Sequence, residues 1–328
     1  MVSTLHHIGA FYLRILHLIL MAATLSFSTA GFCDQEGSSR NAPGASLVAP
    51  TNARPELRRV SLYRGWDYLV ERLRLQGVAQ EDISAIYRDP QMPPFTFVPF
   101  KLKPREPHSM YAGFLATPHI KLGTTFIRRH EHDFDRMEKT LKVPREIVTA
   151  ILVVESQIGR NTGKEMILYR LSRVSSVADP ANLRRNFEVL REEDSTVTLS
   201  AVQERAKYLE TTFLPEIPAL IEISKRNRIN ALRVRGSTAG AFGLPQFLPS
   251  AFLRYGFDGN RDGFVSLYNE VDALWSAANY LANFGYRKEL PLLEKRAILW
   301  RYNKSEAYID TILAVGEEIN RELEDSRP

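Results

Sequence analysis

Val143-Pro144-Arg145-Glu146-Ile147-Val148-Thr149-Ala150-Ile151-Leu152-Val153-Val154-Glu155-Ser156 is the stretch on which the fold turns. Proline suits the opening of a helix, where its missing N–H would have no intrahelical partner, and an acidic residue follows in the first turn. Ile147, Ala150, Ile151 and Val154 then fall on one face, with Val148, Leu152 and Val153 on the others. A helix that is apolar all round belongs inside a protein, so this segment predicts a core helix with other elements packed around it. Glu155 closes the apolar run. An ionised carboxylate buried there without a partner would be costly. Desolvation raises its pKa, and the negative end of the helix dipole acts in the same direction, so the acid can stay protonated near neutral pH. That makes Glu155 a candidate general acid. The alternative is a structural glutamate paired with a nearby arginine such as Arg160.

Further helical patterns lie on both sides of this segment. Trp66, Leu69, Val70, Leu73 and Leu75 recur at helical spacing, and Thr117-Pro118 opens a helix through Ile120, Phe126, Ile127 and Phe134. Similar periodicity covers roughly 199–227, 271–284 and 308–323, with no alternating run of strand length and no internal repeat. Residues 89–107 are studded with proline, which excludes regular helix and predicts a surface-wrapping segment. The expected class is mainly α.

Two polar stretches add chemistry. From Gly236 to Ser250 the chain is dense in small residues and ends in prolines, with Gln246 between apolar neighbours. Glycines let backbone approach a ligand closely, and a glutamine offers both donor and acceptor. Taken alone, the stretch is a turn-rich loop. Asp258-Gly259-Asn260-Arg261-Asp262-Gly263 fits the first half of an EF-hand calcium loop, with oxygen ligands at positions one, three and five and glycine at six. Phe264 would supply a backbone carbonyl, Ser266 the ninth position and Asn269 the twelfth. The usual bidentate carboxylate is missing at that last position, which lowers the expected affinity unless Glu270 substitutes. A structural Ca2+ in the Asp258–Asn269 loop is the one metal expectation.

The chain of 328 residues has ordinary globular composition, 44% hydrophobic and 25% charged. Its N-terminus differs: Arg14 precedes an apolar run from Ile15 to Phe27, and Ser28-Thr29-Ala30 follows in the pattern of a cleavage site. The expected organisation is a signal peptide over 1–30, a flexible tether over 31–56 rich in Gly, Ser, Ala, Asn and Pro, and a folded region over 57–328. An uncut apolar segment would instead hold the protein at a membrane. The single cysteine, Cys33, excludes an intramolecular disulfide and leaves a lipid attachment point disfavoured by the bulky Phe32. A net charge of +5 suits an acidic polymer. The basic residues are dispersed in pairs such as Arg128-Arg129, Arg184-Arg185 and Lys225-Arg226, and with an export signal this argues against a nucleic-acid partner.

These stretches together resemble the membrane-bound lytic murein transglycosylase B family. The resemblance rests on Val143-Pro144, the Ile151–Gly159 segment around Glu155-Ser156, and Asn161-Thr162-Gly163. It continues through Ala239-Gly240-Ala241-Phe242-Gly243, Gln246-Phe247-Leu248-Pro249-Ser250, the Asp258 loop, Val271-Asp272-Ala273, Ala278-Asn279-Tyr280 and Arg301-Tyr302-Asn303 with Ser305 and Tyr308. It runs from about Ser109 to the C-terminus, where a lysozyme-like core is implied, with additional helical N-terminal and inserted segments. Two departures stand out. Leu244-Pro245 replaces a pair that more usually contains glycine, and nothing between Leu171 and Leu209 matches the family's arginine-pair and aromatic pattern, so the segment around 186–208 reads as inserted.

The resemblance implies that Glu155 is the sole catalytic acid/base and that Ser237, Gln246, Tyr280, Tyr302, Asn303, Tyr308 and Tyr111 line a groove for peptidoglycan glycan strands. It implies non-hydrolytic cleavage of the MurNAc–GlcNAc β-1,4 bond to leave 1,6-anhydroMurNAc ends, with no cofactor needed for the chemistry. An exported monomer in the periplasm or cell envelope is expected, with peripheral membrane association only if it is lipidated or keeps its signal. Two rivals remain at this point: a hydrolytic muramidase using a second carboxylate, for which Asp258, Asp262 and Asp272 are available, and a non-catalytic peptidoglycan-binding protein.

Overall fold

A computed structural model describes residues 61–104 and 106–325. The signal segment 1–30, the tether 31–56, Cys33 and the expected start of the folded region near Leu57 lie outside the described residues. Thirteen α-helices occur among those described: α1 (Asp67–Leu75), α2 (Gln80–Tyr87), α3 (Thr117–Arg129), α4 (Glu131–Leu141), α5 (Arg145–Ser156), α6 (Ile167–Ser175), α7 (Pro180–Glu193), α8 (Leu199–Phe213), α9 (Glu216–Arg226), α10 (Pro249–Tyr255), α11 (Glu270–Asn283), α12 (Leu292–Tyr302) and α13 (Glu306–Asp325). The fold is mainly α and lysozyme-like.

The apolar sequence of α5 does what its pattern requires: every residue from Ile147 to Val154 is buried. Helices α3, α11 and α13 encase it. The crossing with α3 and α13 is close, since a Cβ at Gly123 would lie 2.6 Å from the Ile319 side chain and 3.3 Å from Thr149. Only a residue without a side chain lets these three helices meet at that distance.

Where one helix was predicted from Thr117 through Phe134, the structure has two. The backbone breaks at His130 (φ −113°, ψ 27°), so that α3 packs on α5 and α13 while α4 packs on α11. Glu270 at the start of α11 holds the break, accepting from Arg129 at 2.6 Å and meeting His130 at 2.8 Å. The pattern over 199–227 is likewise divided, between α8 and α9 at Leu214-Pro215. A helical proline cannot continue the hydrogen-bond ladder.

The segment holding α1 and α2 packs on α6 and α8. Trp66 contacts Tyr87, Phe95 and Tyr169, the Tyr87 hydroxyl lies 2.9 Å from Ser172 of α6, and Arg72 and Tyr68 bind the buried Glu210 of α8. The proline-rich stretch is sunk more deeply than a surface wrap. Met92 is fully buried, and Val98 is held through its N–H and C=O by the side chains of Asn182 and Asn186 on α7. The only regular strands among the described residues form a two-residue antiparallel ribbon, Glu165–Met166 against Arg235–Gly236, which ties the segment after α5 to the entry of the Gly236–Ser250 loop. No described helix is long and apolar enough to cross a membrane.

Candidate active site

Glu155 is the penultimate residue of α5, and the backbone reverses directly after it through Gln157, Ile158 and Gly159, all at positive φ. The reversal leaves the Glu155 side chain deep in the protein but only half-buried, so one edge stays reachable from solvent. Its Oε1 accepts a hydrogen bond of 2.8 Å from the Tyr308 hydroxyl on α13. Burial pushes its pKa up to about 8; the Tyr308 bond works against that rise, and the negative charge of Glu106 adds to it. The expected alternative, pairing with Arg160, does not occur: Arg160 is exposed, and no ion pair to Glu155 forms among the described residues. The arrangement is therefore a half-buried acid with a raised pKa and no counter-cation among the described residues.

Ser156 joins this acid to the loop. Its hydroxyl donates to the Leu244 carbonyl at 2.8 Å and accepts from the Gly159 amide at 3.0 Å. Gly243, at φ +75°, brings the loop so near to Leu267 that a Cβ would sit 2.2 Å from the Leu267 Cβ. The unusual Leu244-Pro245 pair is held through its carbonyls, Leu244 by Ser156 and Pro245 by the Tyr302 hydroxyl at 2.7 Å. Backbone groups make both contacts, so the change of side chain leaves the loop's anchorage intact.

The sequence-predicted tyrosines come together in one aromatic wall. Tyr280 and Tyr302 meet at 4.8 Å between ring centroids, Tyr302 runs parallel to Tyr308 at 6.4 Å, Tyr308 takes the edge of Tyr111 at 6.1 Å, and Phe247 packs on both Tyr280 and Tyr302. Most of these rings are buried, with Tyr308 at 1% exposure and Tyr111 at 4%. Their hydroxyls also have protein partners, the Arg301 carbonyl for Tyr280 and Glu106 for Tyr111. They frame the acid more than they face open solvent. Burial raises the Tyr302 and Tyr308 hydroxyls well above the usual phenol range, and the charge of Glu155 adds to this.

Ser237 is fully buried, its hydroxyl accepting from the amides of Ala239 and Ala241, so it shapes the loop from within. Gln246 is held at φ +50° with its amide donating to Thr162 and Gly243 carbonyls at 3.1 and 2.7 Å, while its Oε1 has no partner among the described residues. Asn303 is half-buried at the end of α12. Arg170 of α6 supports the loop from behind by donating to the Thr238 carbonyl at 2.9 Å.

The calcium-like loop differs from its expected form at the closing position. Asn269 turns away from the loop to cap α11, accepting from the amides of Val271 and Asp272. Glu270 is engaged with Arg129 and His130. Asp272 faces the loop instead, its two carboxylate oxygens accepting from the amides of Gly259, Asn260 and Ser266. Asp258 accepts from the amides of Asp262 and Gly263, Asp262 from Phe264, and Asn260 from Asp262. Among the described residues no group of three or more His, Cys, Asp or Glu side chains converges as a metal site.

Sequence reading missed Glu106. It lies in Pro104-Arg105-Glu106-Pro107, with no periodicity to place it, yet the fold brings it beside Tyr111 and within the field of Glu155.

Comparison with known proteins agrees with this architecture. Membrane-bound lytic murein transglycosylase B of Escherichia coli strain K12 is 30% identical over 175 residues, which is 53% of this chain and 41% of that protein's length. The crystal structure of soluble lytic transglycosylase SltB1 from Pseudomonas aeruginosa superposes with a TM-score of 0.58 at 22% identity, over 79% of this chain and 99% of that one. The Escherichia coli lytic transglycosylase Slt35, solved in complex with calcium, gives a TM-score of 0.53 at 20% identity over 78% of this chain and 93% of its own. Residues 63–295 match the transglycosylase SLT domain, and with that match over most of its length the chain belongs to this family.

Proposed function

We propose that this protein is a peptidoglycan lytic transglycosylase in which Glu155 is first acid and then base. The observation that carries the reading is a half-buried carboxylic acid with its pKa pushed up to about 8 and no cation beside it among the described residues. Below that pH Glu155 holds the proton that a glycosidic oxygen needs on leaving. Glu155 protonates the oxygen linking MurNAc C1 to GlcNAc as the C1–O bond breaks, and the sugar's own acetamido group stabilises the positive charge at C1. The resulting carboxylate then takes the proton of the MurNAc C6 hydroxyl as that oxygen bonds to C1. The products are a 1,6-anhydroMurNAc end and a free GlcNAc 4-hydroxyl, with no water consumed and the acid restored. Tyr302 and Asn303, both half-buried, are the expected groove residues left partly open to a sugar, one through its ring and the other through its amide.

A hydrolytic muramidase needs a second carboxylate to activate water. The three aspartates considered from sequence, Asp258, Asp262 and Asp272, are engaged by amides of their own loop, which favours the non-hydrolytic route. The test is to incubate the protein and its Glu155→Gln variant with isolated sacculi and identify released fragments by mass spectrometry. Anhydro ends from the wild type alone are expected. Reducing ends would establish hydrolysis, and no release from either protein would leave a wall-binding role.

The export signal over 1–30, the tether over 31–56 and the folded region over 57–328 are part of this proposal, since a murein-cutting enzyme works in the cell envelope. So is a monomeric state, because one chain carries every residue assigned to the site. The Asp258 loop suits a hard cation in its oxygen donors, and Slt35 was solved with calcium. In this chain the ligand set we propose is Asp258, Asn260, Asp262 and the Phe264 carbonyl, closed by Asp272 in place of Asn269, with Ser266 tied in through its amide. A calcium-dependent rise in melting temperature, absent with magnesium, is the expected result.

A further inference from the structure

The acid at the end of α5 has a second carboxylate behind it. Glu106 is half-buried, and its Oε2 accepts a 2.7 Å hydrogen bond from the Tyr111 hydroxyl, with Ser305, just ahead of α13, beside the same carboxylate. Tyr111 presents its ring edge-on to Tyr308, with 76° between the planes, and Tyr308 donates to Glu155. Contact is therefore continuous from Glu106 through two tyrosine rings to the acid. The groups facing Glu155 are Tyr308 from α13, Tyr302 from the end of α12, and Tyr111 with Glu106 from the segment before α3. None of them is cationic.

We infer that Glu106 is a positioning residue of the reaction: bound to Tyr111, it fixes the wall from which Tyr308 meets Glu155 and sets a second negative charge behind the acid. This inference rests on Glu155 being the acid of the proposed reaction. Its two contributions are separable. The hydrogen bond orients Tyr111 and so confines Tyr308, whereas the charge opposes ionisation of Glu155 at rest and favours the positive charge that develops at C1. Burial raises the pKa of Glu106 itself, and the hydrogen bond from Tyr111 works against that rise.

Two substitutions separate these contributions. Glu106→Gln keeps an acceptor for Tyr111 and removes the charge; Tyr111→Phe keeps the charge and the ring and removes the bond. With solubilised glycan strands, the alkaline limb of kcat/KM is expected to move toward acid by about half to one pH unit in Glu106→Gln, the scale of a like charge a few side chains away. In Tyr111→Phe the limb should stay within about 0.2 pH units while kcat falls about tenfold, as expected for a lost positioning contact. A readout independent of activity comes from 13C-carboxyl NMR on glutamate-labelled protein, with the Glu155 resonance identified by its absence in Glu155→Gln. The Glu155 titration must move in the same direction in Glu106→Gln. An unmoved titration with a lowered melting temperature would make Glu106 merely structural and overturn the inference. A moved titration in a protein that releases nothing from sacculi would support the coupling and sink the transglycosylase reading instead. Should Glu106→Gln fail to fold, Glu106→Met, neutral and similar in length, is read by the same titration.

Discussion

Replacing Glu155 with glutamine is expected to stabilise the protein while abolishing its activity, and to do so increasingly as pH rises. The folded-state pKa is about 8 against an ordinary 4.5. Between those values the unfolded chain has released the proton and the folded chain still holds it. The unfolded state therefore binds fewer protons, and stability falls as pH rises through the window. At about 1.4 kcal/mol per pH unit the whole interval corresponds to about 4 to 5 kcal/mol. Water at the open edge of Glu155 relaxes part of this, so a working figure is about 2 to 3 kcal/mol between pH 5 and pH 8.5. Glutamine has the same shape, still accepts from the Tyr308 hydroxyl, and carries no charge at any pH. Urea unfolding of both proteins at pH 5, 7 and 8.5 is the assay. The two curves should nearly coincide at pH 5 and separate steadily above it, with the variant more stable. A difference that does not change with pH would mean the carboxylate is solvated like any surface acid. A variant that is less stable at pH 8.5 would mean Glu155 is paired with a cation, and the argument for a neutral acid would fail.

Tyr308→Phe removes the hydroxyl that favours the ionised form of Glu155, so the alkaline limb of kcat/KM should move upward from about 8, with activity at pH 6 down by about tenfold; a pH–rate profile checks both. Ser156→Ala leaves the Leu244 carbonyl and Gly159 amide without their partner and should cost about 1 to 2 kcal/mol in urea unfolding. Asp272→Ala frees three loop amides and should lower stability by about 2 to 3 kcal/mol while removing any calcium-dependent rise in melting temperature. An equal rise in wild type and variant would take Asp272 out of the ligand set.

The core helix and its acid were legible because their signals are local: an apolar run on every face of a helix admits one placement, and a carboxylate at its end has few environments open to it. The tyrosines were named only through a family resemblance, since an isolated tyrosine has no periodic signature. Their joint placement in one wall depends on α12 and α13 meeting α5. Helix breaks at His130 and Leu214-Pro215 were missed because hydrophobic spacing survives a bend, and the residue holding the first break, Glu270, is 140 positions away from His130. The use the fold makes of Asn269 was hidden for a related reason. Position counting assigned Asn269, whereas the start of α11 needs a cap, and Asn269 serves it. Glu106 was invisible because nothing in a proline-flanked stretch tells which distant helix end it will face.

In the reaction proposed above, the features that raise the pKa of Glu155 also suit it to two opposite tasks. A single residue that gives a proton and then takes one back cannot be a strong acid, because its conjugate base would be too weak to receive the proton of a C6 hydroxyl. Nor can it be so weak an acid that the leaving oxygen goes unprotonated. A pKa near 8 lies between these limits, leaving the group protonated at neutral pH and its carboxylate more basic than an ordinary one. The tyrosine hydroxyls around it are bound to carbonyls or carboxylates, so Tyr308 alone is aimed at the acid, and that one bond strengthens once Glu155 becomes charged. Tyr308 thus moderates a rise set by burial and by Glu106. In the proposed reaction, the balance among these three, with no cation in the wall among the described residues, lets one carboxylate serve both halves.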